Sequence, residues 1–151
     1  MRPPIETTLS AEDHEAALIE VGFLLKMLSS TIEDVIGNPA PLGVSAGRAM
    51  AQKIPVRLFE PPLEKVLAVL GQALKGGIEF ASTQQEYGAT LEVGTCAVRD
   101  MCRMQGEEIG SRVCKLFHHY LSGMCSQIYG KQTRIEMMKV GELCTLELKT
   151  K

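Results

Sequence analysis

The chain has 151 residues, a hydrophobic fraction of 45%, a charged fraction of 23% and a formal net charge of -2. That length and composition predict one soluble domain, 1–151, with a sizeable core. Acids and bases are interspersed, with no basic, aromatic-rich run, which argues against a nucleic-acid partner. No apolar run approaches the roughly 20 residues of a membrane helix, which argues against membrane insertion.

The start, Met1-Arg2-Pro3-Pro4, lacks the apolar core of a signal peptide, so a cytoplasmic protein is expected. Five cysteines are an odd number, which weakens a disulfide framework and favours reduced thiols. There are eight Met and no Trp. Methionine is an adaptable filler of cores and of tolerant apolar pockets.

Ser10-Ala11-Glu12-Asp13 reads as an N-cap followed by first-turn acids. Ala17, Val21, Leu24, Leu28, Ile32 and Val35 then recur at helical spacing until Gly37-Asn38-Pro39 ends the run. A helix of about 26 residues exceeds what a small core needs. Its surplus stripe predicts a dimer arm over residues 1–37 and hence a homodimer. A second helix is expected from Gly43 to Ile54, with Gly43 and Gly47 four apart and able to admit a close neighbour. A third follows Pro61-Pro62, with Leu63, Val66, Leu67, Leu70 and Leu74 on one face and Gly76-Gly77 as its stop.

The period then changes to two. Ile78 and Phe80, then Leu91 and Val93, alternate with polar or small residues on either side of Gln85-Glu86-Tyr87-Gly88, predicting an antiparallel hairpin. Cys96 to Arg103 reads as a charged connection, and Gln105 to Tyr129 as a fourth helix. Two last strands, about 133–138 and 143–149, turn at Lys139-Val140-Gly141-Glu142. The predicted fold is α+β, helices packed on a small antiparallel sheet in the order αααββαββ, with a ligand-binding-like core over 43–149.

Several pieces from Gly43 onward share an order and spacing. They are Gly43-x3-Gly47-Arg48, the hairpin leading to Cys96, and Cys114 before Tyr120-Leu121-Ser122-Gly123. Tyr129-Gly130-Lys131, Glu136, and Gly141 shortly before Cys144 complete the series. Together they resemble the 4-vinyl reductase domain family, a group of predicted small-molecule or hydrocarbon-binding domains. The resemblance implies an apolar pocket. In its aromatic-sensing members it implies zinc held by a helix Cys and a Glu-x2-Cys…Cys block. Cys114, Glu136 and Cys144 match three of those positions, while Lys139 stands where the middle Cys would be. Well under one zinc per chain is therefore expected, with zinc as the alternative to no cofactor.

The residues carry their own reading of these sites. Cys114 and His118, four apart on a helix, share a face. Cys125 is eleven residues on, about 16 Å along the axis, and cannot join Cys114 on one ion. Strand alternation sets Glu136 and Cys144 on opposite faces of a sheet with one wet side. An iron–sulfur reading would use Cys96, Cys102, Cys114 and Cys125, at a spacing that fits no established pattern. The helix's apolar side centres near Val113, Tyr120 and Met124, which turns His118 outward. No phosphate-loop, dinucleotide, nucleophile-elbow or zinc-protease motif is present.

An apolar cavity between helices and sheet is therefore expected, lined by Phe80, Met104, Val113, Phe117, Tyr120 and Met124. The leading function is binding or sensing of a small apolar molecule. The alternatives are a tetrapyrrole vinyl-reductase-related enzyme, which the resemblance implies, and a protein-interaction or adaptor subunit.

Overall fold

The computed structural model describes residues 8–151; the Met1–Pro4 start lies outside them. Helix α1 spans Ala11–Ile36. Its start is a capping box: the Asp13 amide donates to Ser10 Oγ at 3.1 Å, and the Ser10 amide donates to Asp13 Oδ2 at 2.7 Å. Helices α2 (Ala40–Gln52) and α3 (Leu63–Leu74) follow. The second begins three residues before Gly43, because Pro41 fits a first turn, where its missing amide is not needed.

Strands β1 (Ile78–Gln85) and β2 (Gly88–Cys96) form the expected hairpin. The next stretch corrects the sequence reading. Cys96 to Arg103 is not a connection but the cap and body of α4 (Ala97–Met104), and α5 begins only at Arg112 and runs to Tyr129. The Cys96 thiol accepts from the Arg99 amide, and the Arg99 side chain folds inward, so a segment that looks charged is amphipathic. Gly106 and Gly110, both at positive φ, separate the two helices. The order is thus αααββααββ, one helix more than predicted. Gly130, left-handed at φ 73°, turns the chain into β3 (Thr133–Lys139) and β4 (Cys144–Thr150).

The four strands pair antiparallel in the order β1-β2-β4-β3. Leu91 lies opposite Leu146, and Ile135 opposite Leu148, and all four are buried. Their neighbours on the other face include Glu136, Glu147 and Lys149, which form exposed ion pairs over the sheet's wet side. Helices α3 and α5 lie against the sheet, α2 packs on α5, and α1 lies across α4 and α5. The α2–α5 contact is backbone on backbone: a Cβ added at Gly47 would overlap the Tyr120 carbonyl, and one at Gly123 would overlap the Val44 carbonyl. Helix α1 is different. It buries only Gly22 and Ser29, and leaves Leu18, Val21, Phe23, Leu24, Met27 and Leu28 exposed.

Candidate functional site

The N-terminal half of α5 has a cavity on each side. The larger, about 420 Å³, lies between α1, α2, α4 and α5. Val113, Leu116, Phe117 and Tyr120 recur three and four apart and so present one stripe to it. Leu25 and Ile32 come from α1, Leu42 from α2 and Met101 from α4. Its size falls in the range of small-molecule sites, roughly 300–1,000 Å³. Among the lining residues, Ser29 and Tyr120 carry hydroxyls. That of Ser29 already donates to the Leu25 carbonyl at 2.7 Å, which leaves Tyr120 as the free polar handle; burial pushes its pKa up.

The smaller cavity, about 50 Å³, lies between α5 and the sheet. Ile78, Val93, Leu121 and Leu146 give it apolar walls, but Cys96, Cys114, Cys144, His118 and Arg99 also line it. Val98 and Phe117 line both cavities and form the partition between them.

His118 is only 9% exposed, and neither ring nitrogen has a hydrogen-bond partner among the described residues. Burial, helped by the neighbouring His119, pushes its pKa down to about 4. The ring is therefore neutral near pH 7, with one donor and one acceptor to offer. Beside it, Cys114 Sγ stands 3.8 Å from Cys102 Sγ. Burial pushes the Cys114 thiol up to about 11, and Cys102 and Cys144 nearby add to the shift. Arg99 is 5% exposed and donates to the carbonyls of Val93, Gly94, Gly141 and Glu142, while its Nε has no partner. No carboxylate pairs with it among the described residues.

The structure gathers some of the predicted residues and scatters others. Val113, Phe117 and Tyr120 line the larger cavity. Phe80 sits on β1 against Gly71 of α3, outside both cavities. Met104 is exposed at the end of α4, and Met124, 1% exposed, is in the solid core. The large void lies between helices, not between helices and sheet as expected, because the central part of α5 presses directly onto β3: the Ile135 amide donates to Ser122 Oγ at 2.9 Å.

The metal set Cys114, Glu136 and Cys144 is not brought together. Cys114 and Cys144 share the small cavity, while Glu136 is on the wet face, paired with Arg134 at 2.8 Å and Lys149 at 3.3 Å. Period-two alternation is the cause. Among the described residues no three His, Cys, Asp or Glu side chains converge on one point as they stand. The iron–sulfur set fares similarly: Cys125 is fully buried and lines neither cavity, and Cys144 occupies the place by Cys114 assigned to it. His118, expected to point outward, is buried. The prediction gave α5 one buried face, whereas this helix is packed between the sheet and α2, and every residue from Leu121 to Ser126 is buried. Sequence reasoning also missed Arg99 and Met101, and it placed Cys102 only in the iron–sulfur alternative. A helical period through Val98, Met101 and Cys102 was the available signal, and the charges between them obscured it.

No protein-family model matches the chain, and no match is found among curated proteins. Among solved structures, the chain is similar to the phenol-responsive sensory domain of the transcription activator PoxR, determined with phenol. The two are 15% identical over 88% of this chain and 74% of that one, with a TM-score of 0.50. At this identity the likeness shows a shared fold: helices followed by a small antiparallel four-stranded sheet. None of the helices among the described residues is long and apolar enough to cross a membrane.

Proposed function

We propose that the chain is a small-molecule-binding sensory domain whose ligand is apolar with one polar group. The observation that carries this reading is the cavity of about 420 Å³ beside α5, walled by Leu25, Ile32, Met101, Val113, Phe117 and Tyr120. Apolar surface supplies affinity and a few polar groups fix orientation in such sites. Tyr120 is one handle. His118 is a second if Phe117 swings aside and joins the two cavities, because its unpartnered nitrogens would then meet a ligand hydroxyl. The fold shared with a domain solved with phenol supports the same class of ligand.

The test is thermal unfolding with phenol, toluene and indole as probes. A ligand at roughly 100 times its Kd stabilises by about 2.7 kcal/mol, or about 5–10 °C for a domain of this size. If none of the three raises Tm at concentrations near their solubility, the reading fails.

We also infer a homodimer through α1. Leu18, Val21, Phe23, Leu24, Met27 and Leu28 make an exposed apolar surface too extensive for a lone soluble chain, and a second copy of the same helix is a complement of matching shape and polarity. Light scattering at micromolar concentration reports twice the chain mass in this reading, and Leu24→Glu halves it. A wild-type monomer removes the inference. Half-buried and buried free thiols fit a reducing compartment, in line with a cytoplasmic sensor.

A further inference from the structure

Cys102 on α4 and Cys114 in the first turn of α5 are brought together by the fold, and their thiols touch, Sγ to Sγ, at 3.8 Å. The sulfurs of a disulfide lie ~2.05 Å apart, so the pair must close by roughly 1.8 Å to bond. The fold leaves room for that movement. The connection between the two helices carries Gly106 and Gly110, both at positive φ, and a Cβ added at Gly106 would meet nothing within 4 Å. Cys102 Sγ otherwise meets only Ser111 Oγ, at 4.0 Å, too far for a strong bond. The other thiols are engaged elsewhere. Cys96 accepts from the Arg99 amide at 3.4 Å, Cys144 donates to the Gly141 carbonyl at 3.6 Å, and Cys125 is fully buried and lines neither cavity.

Access differs between the two sulfurs. Cys102 is 2% exposed, whereas Cys114 is half-buried, so Cys114 is the thiol that an oxidant meets first. It lines the cavity of about 50 Å³, which has room for a molecule the size of water or hydrogen peroxide and none for a bulky organic oxidant.

We propose that Cys102 and Cys114 are a reversible, peroxide-driven disulfide that locks α4 to the first turn of α5. The Cys114 thiolate attacks one oxygen of hydrogen peroxide. The O–O bond breaks, the other oxygen leaves as hydroxide and takes a proton to become water, and a sulfenic acid remains. The Cys102 thiol then attacks Cys114 Sγ, the S–O bond breaks and a second water leaves. Two thiols lose two electrons and two protons, and the peroxide gains them; a small dithiol reverses the bond by exchange. Burial pushes the Cys114 thiol up to about 11, which keeps its reactive thiolate scarce near pH 7, so the lock answers to sustained oxidant and not to a brief pulse. Met101 precedes Cys102 and Val113 precedes Cys114, and both line the larger cavity, so the bond ties two of its walls together. The disulfide does not rest on the ligand reading of that cavity.

The experiment is prolonged treatment of reduced, full-length protein with hydrogen peroxide, followed by thiol counting in denaturant, peptide mapping and thermal unfolding. Two of the five thiols should disappear and return with dithiothreitol. Trypsin cuts after Arg103 and Arg112, so the two cysteines fall in separate peptides, which should be recovered joined. The oxidised form should melt higher than the reduced one, because the link restricts the unfolded chain, and dithiothreitol should remove the gain. Cys144→Ser should keep this bond, and Cys102→Ser should form no intrachain disulfide. All five thiols surviving, a bond mapped from Cys114 to Cys96 or Cys144, thiol loss that dithiothreitol does not reverse, or an oxidised form that melts no higher overturns the proposal. The wild-type thiol count and peptide map decide the matter even if a cysteine variant fails to fold.

Discussion

The two halves of α5 are built for different tasks. From Leu121 to Ser126 every residue is buried, Gly123 meets the backbone of α2, and the hydroxyls of Ser122 and Ser126 bond to β3. Nothing in that half is left without a partner. From Arg112 to Tyr120 the same helix borders two cavities, carries an unpartnered His118 and holds a thiol against that of Cys102. The contrast teaches that satisfied polar groups end where β3 stops touching the helix, while α2 stays in close contact back to Leu116, where a Cβ added at Gly43 would meet the Leu116 carbonyl and His119 Cβ. Beyond that point α1 and α4 join α2 as neighbours, and the larger cavity lies among them. Empty volume and unpaired groups are tolerated in the half that the rest of the fold does not depend on.

The sharpest way to break the contrast is to attack the closest α2–α5 contact, at the border between the two halves. In Gly47→Leu the new Cβ meets the Tyr120 carbonyl, which belongs to backbone and cannot rotate away. Overpacking usually costs about 1–3 kcal/mol and occasionally more. Here the loss should exceed that range, because α2 must lift off α5 along its length. Urea unfolding with a preserved m-value and a loss above about 3 kcal/mol is the expected result. A loss under 1 kcal/mol would mean that the contact is looser than the geometry says.

A smaller effect belongs to the loose half. His118 is neutral in the folded chain to about pH 4, while in the unfolded chain it takes up a proton below its ordinary 6.5. Between those values the unfolded state binds more protons, so stability falls as pH falls through this window and levels off below it. The shift corresponds to on the order of 3 kcal/mol at full extent. His119, also pushed down by burial, contributes in the same direction. Because carboxylates titrate nearby, the measurement is a difference: the pH dependence of unfolding for wild type minus that for His118→Leu. Parallel curves would show that His118 finds a partner or reaches solvent.

How much of this was legible beforehand follows the same division. Elements whose signal is local were readable: the Ser10 cap, the Pro61-Pro62 start, both hairpins, and the Gly43 and Gly47 pair that admits α5. The opposite orientation of Glu136 and Cys144 followed from strand period alone. What failed depended on a third neighbour. His118 looked exposed because one buried face was assumed for a helix that has two. Arg99 looked like part of a charged connection because nothing local announces that carbonyls of β2 and the β3–β4 turn converge on it. Cys102 and Cys114, twelve residues apart, touch only because the chain breaks at Gly106 and Gly110 and α4 doubles back on α5.

The last expected effect is smallest in stability and largest in consequence for function. Val113 is buried at 9% exposure, yet it lines the cavity of about 420 Å³. In Val113→Phe the added ring has void to enter, so it gains apolar contact without displacing backbone, and the cost should stay under about 1 kcal/mol. In a solid core the same change would cost about 1–3 kcal/mol. The ring would occupy ligand volume, and any rise in Tm that phenol, toluene or indole gives the wild type should vanish. Met124→Phe is the matching change one face further on, in the dense half, and should show the full overpacking cost. If the two variants lose equal stability, the cavity beside Val113 is closed in solution, and the division of α5 into a packed half and a binding half does not hold.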